Sequence, residues 1–310
     1  MILIESLNIY KRNEQSMEEE HKHKSIKMEG LDINILPEGC ISSVLSFTSP
    51  LDACRSSLVS SIFQSAADSD VVWERFLPSD YQEILSRSVS PVQFSSKKDL
   101  FFHLCDPFLI DGGNKSFALE KSSGRKCNIL SARELSITWG NDPMDWSWKS
   151  LPESRFSEVA ELRTICQLEI HGKIYTGMLT PNTTYAAYLI MKISDRAYGL
   201  DSLPAEISLE VGGLVTTGTA YLRRQDSQKQ KMEHLFYSNR MQMLLRSRVI
   251  EGDGRVPCDR EDGWMEIELG EFVNEGGEGV VKMSLMEVKG DHLKGGLIIE
   301  GIEVRPKYHV

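Results

Sequence analysis

Seven histidines and six cysteines are the residues of this chain best suited to hold a metal or attack a carbonyl, and their spacing serves neither purpose. His21 and His23 form an H-x-H pair inside the run Glu18-Glu19-Glu20-His21-Lys22-His23-Lys24. Two imidazoles without a set of further ligands at metal spacing do not make a closed site, so the pair reads as part of a solvated tail. His103, His171, His234, His292 and His309 are scattered, and Cys40, Cys54, Cys105, Cys127, Cys166 and Cys258 contain no C-x-x-C. No H-E-x-x-H, G-x-S-x-G or G-x-x-x-x-G-K-[ST] occurs, and Gly252-Asp253-Gly254 lacks the third glycine of a dinucleotide loop. The expectation is therefore a chain with no catalytic residue, no metal and no cofactor. Its dispersed thiols and the lack of a secretory leader point to the cytoplasm and nucleus. For the same reason Asn182-Thr183-Thr184 is not expected to be glycosylated.

Charge and length narrow the classes of partner. The 310 residues allow about two domains. A hydrophobic share of 41% with 26% charged residues is that of an ordinary globular chain. The net charge of -10 argues against wholesale binding of nucleic acid or an anionic bilayer. The longest apolar stretch, Tyr185 to Met191, ends at Lys192, well short of a membrane span. One region departs from the acidic balance: Arg223, Arg224, Lys229, Lys231, Arg240, Arg246 and Arg248 face only Asp226 and Glu233. These bases are spread rather than clustered, which fits a mobile basic insertion over 223–260 with a short helix at 239–246.

Periodicity changes along the chain. From Leu36 it is helical: Pro37 suits a first turn, Ile41, Val44 and Leu45 share a face, and Pro50 opens a second helix carrying Leu51, Cys54 and Leu58. Val59, Ile62 and Phe63 extend the stripe, and Asp70 caps a helix bearing Val71, Val72, Trp73 and Phe76. So small a helical unit buries little and expects a partner. The connector that follows carries Leu100, Phe101, Phe102, Leu104 and Phe108, too aromatic for a free linker. Beyond it the period becomes two: strands are predicted at 135–139, 164–170, 185–193, 207–211, 217–223, 264–269, 280–288 and 296–304, with Gly and Pro turns between them. Such spacing indicates an antiparallel sandwich. Trp264 opens one of these strands and reads as core, whereas Trp146 and Trp148, two apart, share a face if extended.

Leu36-Pro37-Glu38-Gly39-Cys40-Ile41, Val44-Leu45-Ser46-Phe47, Pro50-Leu51-Asp52-Ala53-Cys54, Leu58-Val59, Phe63 and Val72-Trp73 together resemble an F-box. The second half is similar to the lectin domain of plant phloem protein 2. That likeness is carried by Leu130 to Gly140, Trp146-Ser147-Trp148, Phe156 to Leu162, Gly172-Lys173-Ile174, Asp262 to Phe272, Met286-Glu287-Val288 and Gly301 to Lys307. The resemblances imply an α+β, multidomain chain: a disordered tail at 1–28, a small three-helix F-box at 29–80, an ordered connector at 81–130, and at 131–310 a jelly-roll-like antiparallel β-sandwich lectin domain containing the 223–260 insertion.

The F-box likeness implies docking on a Skp-family adaptor, and through it on a cullin scaffold, by Leu36, Pro37, Ile41, Leu45, Pro50 and Leu51. The lectin likeness implies carbohydrate binding by Trp139 and Trp146, with an N-glycan or glycoprotein as target. An indole packs on the apolar face of a sugar while neighbours such as Asn141 and Asp142 take its hydroxyls. Trp139 ends a strand and competes for a place in the core, which ranks Trp146 as the contact. Of the two supporting carboxylate positions one falls at Glu287 and the other near Val280, which accepts no hydrogen bond. The expected function is that of a non-catalytic substrate receptor of a ubiquitin ligase, presenting glycosylated or other targets. The alternatives are a receptor for a bare protein surface with vestigial sugar binding, and a lectin acting outside any ligase. Glycoside hydrolysis would need two carboxylates across one sugar, and no such pair is placed around the tryptophans.

Overall fold

The structure is a computed structural model that describes residues 36–223 and 254–308. The expected tail at 1–28, the helix expected at 239–246 and most of the 223–260 insertion lie outside the described residues. The chain divides into two compact units, Met1–Pro37 and Glu38–Val310. Of the first, Leu36 and Pro37 are described, and both are exposed.

The second unit begins with short helices: α1 (Glu38–Leu45), α2 (Pro50–Ser56), α3 (Ser61–Asp68), α4 (Asp70–Phe76), α5 (Tyr81–Ser86) and α6 (Lys97–Cys105). Serines start three of them. The side chains of Ser49, Ser60 and Ser96 accept the backbone N–H groups of Asp52, Phe63 and Asp99 at 3.1, 3.4 and 3.1 Å. Each satisfies a donor that the first helical turn leaves unpaired, and Pro50 occupies a position whose missing N–H costs nothing. Helices this short hold their shape through tertiary packing. Here Trp73 is the centre: it is fully buried, its indole N–H donates to the Ala67 carbonyl at 2.6 Å, and its ring lies 5.1 Å from that of Phe101 on α6.

The strands are β1 (Phe108–Ile110), β2 (Lys115–Leu119), β3 (Lys126–Ser131), β4 (Ser136–Ile137), β5 (Trp146–Lys149), β6 (Val159–Leu162), β7 (Leu168–Tyr175), β8 (Thr183–Tyr198), β9 (Ala205–Val211), β10 (Leu214–Ala220), β11 (Cys258–Asp259), β12 (Met265–Asn274), β13 (Val280–Glu287) and β14 (Gly295–Pro306). Among the described residues they form two antiparallel sheets. One runs β1-β2-β3-β14-β8-β12-β11, with β6 also on β14 and β5 on β6; the other runs β10-β9-β13-β7-β4. Leu189, Met191, Ile267 and Ile302 from the first meet Ile170, Ile207, Met283 and Leu285 from the second in one buried layer. This is the face-to-face packing of a sandwich, with alternate residues of each strand turned inward. The fold is thus α+β, helices first and a large antiparallel β domain after.

Three features link the helices to the sheets and set the surface. The connector residues Leu100, Phe101 and Leu104 share a core with Ile41, Leu45 and Trp73 from the helices and with Phe117 and Leu119 from β2. The outer face of the larger sheet is covered by a second layer in which Trp264 packs with Phe156, Ile190 and Ile298. Trp264 also donates to the Glu153 carbonyl at 3.2 Å. Finally, β14 crosses β3 so closely that a side chain at Gly301 would come within 1.9 Å of the Leu130 carbonyl oxygen, so only glycine fits.

Candidate functional site

On the helices, the structure separates the residues expected to dock into two groups. Ile41 and Leu45, one turn apart, are buried against Ala66, Ala67 and Trp73, and Pro50 is buried at the start of α2. These three hold the module together and present nothing to another chain, a correction to the sequence reading. A helix of eight residues has one stripe to bury, and the i, i+4 pair takes it. Leu36, Pro37 and Leu51 are exposed as expected. They have company: Val44, Phe47, Leu58, Val59, Ile62 and Val71 are exposed as well, Phe47 to 74% and Leu58 to 86%. Sequence reasoning placed Val44 with Ile41 and Leu45 on one face, and so missed that it points away from them. Its register, three residues from Ile41 and one from Leu45, was the signal available.

In the β domain, three tryptophans divide two tasks. The strand expected at 135–139 stops at Ile137, because Trp139 sits at φ +59°, a left-handed conformation that a bulky side chain adopts at a cost of about 1 kcal/mol or more. Two indoles hold it there. Trp146 donates its ring N–H to the Thr138 carbonyl at 3.1 Å, and Trp148 donates to the Gly140 carbonyl at 2.8 Å. Backbone bonds from Gly140 N–H to Ile137 O at 3.0 Å and from Asp142 N–H to Trp139 O at 2.8 Å close the turn on both sides. Asp142 folds back to accept the Met144 N–H at 2.8 Å, and Arg133 stacks over Trp148 at 3.6 Å.

The ranking expected between the two tryptophans is therefore reversed. Trp146 is 2% exposed and belongs to the core, while Trp139 is 64% exposed. Trp146 opens β5 in pairing with Leu162, which turns its ring inward; Trp139 rides the apex of the pinned turn. Asn141 and Asp142 are exposed beside it. The backbone that carries the indole is fixed before any ligand arrives, which lowers the ordering cost of binding.

Glu287 does not join it. Val281, Met283, Leu285 and Glu287 alternate onto the inner side of β13, so the carboxylate is 3% exposed. There it pairs with the ammonium of Lys294, itself fully buried, and lies 3.8 Å from His292. Lys294 also donates to the Cys166 carbonyl. This is a buried structural ion pair rather than a sugar-binding carboxylate. Val280, half-buried, lies opposite Tyr175 at the other end of the same strand.

A feature unseen in the sequence lies next to the pinned turn. Across the outer face of the smaller sheet, register aligns Ser136, His171, Ser284, Ser208 and Thr217 in one row. The Ser208 and Ser284 hydroxyls are 2.7 Å apart. Ser136, His171, Ser284 and Ser208 of this row line a groove of about 400 Å³ whose ionic rim is balanced: Lys173 and Lys282 against Glu134 and Glu210, with Lys282 bonded to Glu210 at 3.0 Å. Met286 and Val215 add apolar surface. Strand alternation put each of these residues outward, but their alignment depends on pairings between distant segments. Ser136 stands three residues before Trp139, and the Thr138 N–H bonds the Glu169 carbonyl at 3.1 Å, so row and indole share one sheet edge.

Comparison with known proteins gives two family matches, phloem protein 2 over residues 125–306 and the F-box domain over residues 33–75. Among curated proteins, the chain is 53% identical to F-box protein PP2-B15 of Arabidopsis thaliana over 279 residues, covering 88% of this chain and 96% of that one. It is 52% identical to F-box protein PP2-B13 of the same plant, covering 88% and 98%, and 51% identical to its F-box protein VBF, covering 88% and 99%. Among solved structures, the CBM22-1 xylan-binding domain of Paenibacillus barcinonensis Xyn10C is similar at a TM-score of 0.26 and 10% identity, covering 59% of this chain and 87% of that one; a likeness this low carries no argument.

Proposed function

The chain belongs to the family of F-box proteins that carry a phloem protein 2 domain, and on that premise we propose that it is the substrate-recognition subunit of a Skp-cullin-F-box ubiquitin ligase. The observation that carries this reading is the set of bulky apolar side chains left in solvent on α1–α4 and their connecting turns, above a helical core that is already complete. Val44, Phe47, Leu51, Leu58 and Val59 contribute nothing to that core. Exposed aliphatic and aromatic groups at this density mark a protein interface. A Skp-family adaptor covers them, and a cullin scaffold holds the assembly in the cytoplasm and nucleus. The protein makes and breaks no bond. It raises the local concentration of target lysines beside a conjugating enzyme bound elsewhere.

At the other end, Trp139 and the hydroxyl row support an oligosaccharide on a target protein. One sugar stacks on the indole, and the neutral, polar groove takes the next residues by hydroxyl hydrogen bonds, with affinities of roughly micromolar to millimolar. A second reading, recognition of a bare protein surface, is favoured by the buried Glu287 and by Val280, which leave the site without the carboxylates the lectin likeness called for.

The test is co-purification of the full chain with a Skp-family adaptor, followed by a glycan array. Wild type should retain the adaptor, and Leu51→Asp with Leu58→Asp should lose it by about 100-fold or more without a change in melting temperature. Trp139→Ala should keep the adaptor and lose the array signal. Failure of wild type to retain the adaptor would refute the receptor reading, and unchanged retention in the double variant would refute this surface as its docking site; an array blank for wild type would leave the protein-surface reading in place of the glycan one.

A further inference from the structure

We propose that the cleft between the helices and the β2–β3 turn binds a phosphoryl monoester through Arg75 and Arg125. The cleft has a volume of about 520 Å³ and is bounded by Phe47, Arg75 and Asp80 on the helical side and by Ser123, Arg125 and Lys126 on the other. It is separate from the hydroxyl groove, and its rim shares Phe47 with the apolar surface assigned to the adaptor, so the site is tested on the free chain.

Many guanidiniums of this acidic chain are matched by carboxylates, Arg87 with Asp111, Arg133 with Glu158, Arg260 and Arg305 with Glu266 and Glu303, while Arg163 and Arg196 stand exposed without one among the described residues. Arg75 and Arg125 differ. Among the described residues neither has an acidic partner, and each lies over an aromatic ring, Arg75 4.4 Å from the centroid of Phe47 and Arg125 5.3 Å from that of Tyr308. Stacking supports the flat face of a guanidinium and leaves its N–H edge free, the edge that grips phosphate oxygens in pairs. Lys126 is bonded to Asp80 at 2.7 Å, and the Glu120 carboxylate accepts from the hydroxyls of Ser123 and Tyr308, which engage it without cancelling its charge.

The two walls are held in fixed relation by Gly124. Its φ is +71°, and a side chain there would come within 2.9 Å of the Phe76 carbonyl oxygen, so the turn that carries Arg125 seats directly on the end of α4, which carries Arg75. Two guanidiniums without an ion-pair partner among the described residues line one cleft, and a dianion would engage both. A phosphate monoester, with a charge of about -1.5 to -2 at neutral pH, matches them. A phosphodiester carries a single charge, and nucleic acid would demand a longer basic track than this chain, at -10, offers. The hydroxyls of Thr48, Ser79 and Thr183 line the rest of the cleft, suited to the polar group that bears the phosphate.

The experiment titrates inorganic phosphate, O-phosphoserine and a phosphoserine peptide into the full chain at constant ionic strength by calorimetry, with serine and the unphosphorylated peptide as neutral controls. The three phosphorylated probes should bind saturably and the controls should not. Arg75→Gln and Arg125→Gln should each weaken binding at least tenfold, while Lys289→Gln, exposed in the loop after β13, should leave it unchanged. Arg75→Lys and Arg125→Lys keep the charge and lose the fork; intermediate weakening with an unaltered melting curve separates recognition from folding. A peptide bound tenfold more tightly than O-phosphoserine assigns the phosphate to a protein side chain, and equal affinity assigns it to a free phosphorylated metabolite; both uphold the site. Binding that is absent in wild type, or equal in wild type and both glutamine variants, overturns it.

Discussion

Between α1 and α4 the exposed side chains include Val44, Phe47, Leu51, Leu58, Val59, Ile62 and Val71, whereas the outer face of the smaller sheet offers Ser136, His171, Ser208, Ser284 and one pinned indole at its edge. Both regions rest on complete cores, so neither surface is exposed for want of something to pack against. The helices present area: many apolar groups, individually replaceable, suited to a large and permanent partner. The sheet presents a few groups with fixed positions, suited to a small ligand that must be discriminated and released. The difference also lies in how each surface is held. Short helices and the turns between them carry the first, while two indole N–H donors and a left-handed backbone hold the second.

The comparison breaks first at the cores. Trp73→Ala should cost about 3–5 kcal/mol of unfolding free energy in urea, since it empties the centre of the helical module and removes a buried hydrogen bond. A loss below about 1 kcal/mol would mean that the helices do not depend on their own interior, and the inside–outside distinction drawn there would fail.

A smaller effect comes from the ion pairs that fasten the connector. Arg87 and Lys115 hold the Asp111 carboxyl down to about 2, chiefly through the Arg87 hydrogen bonds, 2.8 Å to each oxygen. With its folded pKa below its ordinary value of 3.8, Asp111 contributes stability that is present in full above that value and is lost as pH falls through it towards 2. Asp111→Asn should remove about 1–2 kcal/mol at pH 7, and should remove much less at pH 2. Denaturant midpoints measured at both pH values check the sign; an equal loss at both would show that the pair is not the cause.

The smallest change sharpens the contrast most. Trp139→Gly removes the exposed indole and relieves its backbone, so stability should be unchanged or higher by up to about 1 kcal/mol, while retention on any immobilised glycan that wild type binds disappears. Trp148→Phe, by contrast, deletes a donor to the turn and should cost about 1 kcal/mol while weakening the same retention. Thermal melts and affinity chromatography on the two variants separate the presented group from its support. Destabilisation by Trp139→Gly would place that indole in the core after all.

What could be read from the sequence follows the range of the interactions involved. The helical stripes, the change to a two-residue period and the burial of Trp264 are local patterns, and they lead to the α+β arrangement seen. Ile41, Leu45 and Pro50 were legible as apolar but not as interior, because which turn of a short helix faces in depends on Trp73 and Phe101, further along the chain. The order of Trp139 and Trp146 depends on a φ angle and on hydrogen bonds reaching eight residues back, neither of which residue type encodes. Glu287 turned out to be buried because Lys294, beyond the end of its strand, is there to meet it. The hydroxyl row is assembled by sheet pairing between distant segments, and the two arginines of the cleft by the seating of the β2–β3 turn on the end of α4.

Among the described strands β14 is the last in sequence, yet it lies between β3 and β8 in the middle of the larger sheet. A ribosome therefore releases both flanking strands long before the one that joins them. Until Gly295 to Pro306 emerges, the nascent β domain holds two unsatisfied sheet edges and a half-built interior, a state that molecular chaperones recognise. Biogenesis of the β domain is thus a wait for that strand, and premature termination anywhere upstream of it should yield a product that is cleared rather than a partly working fragment.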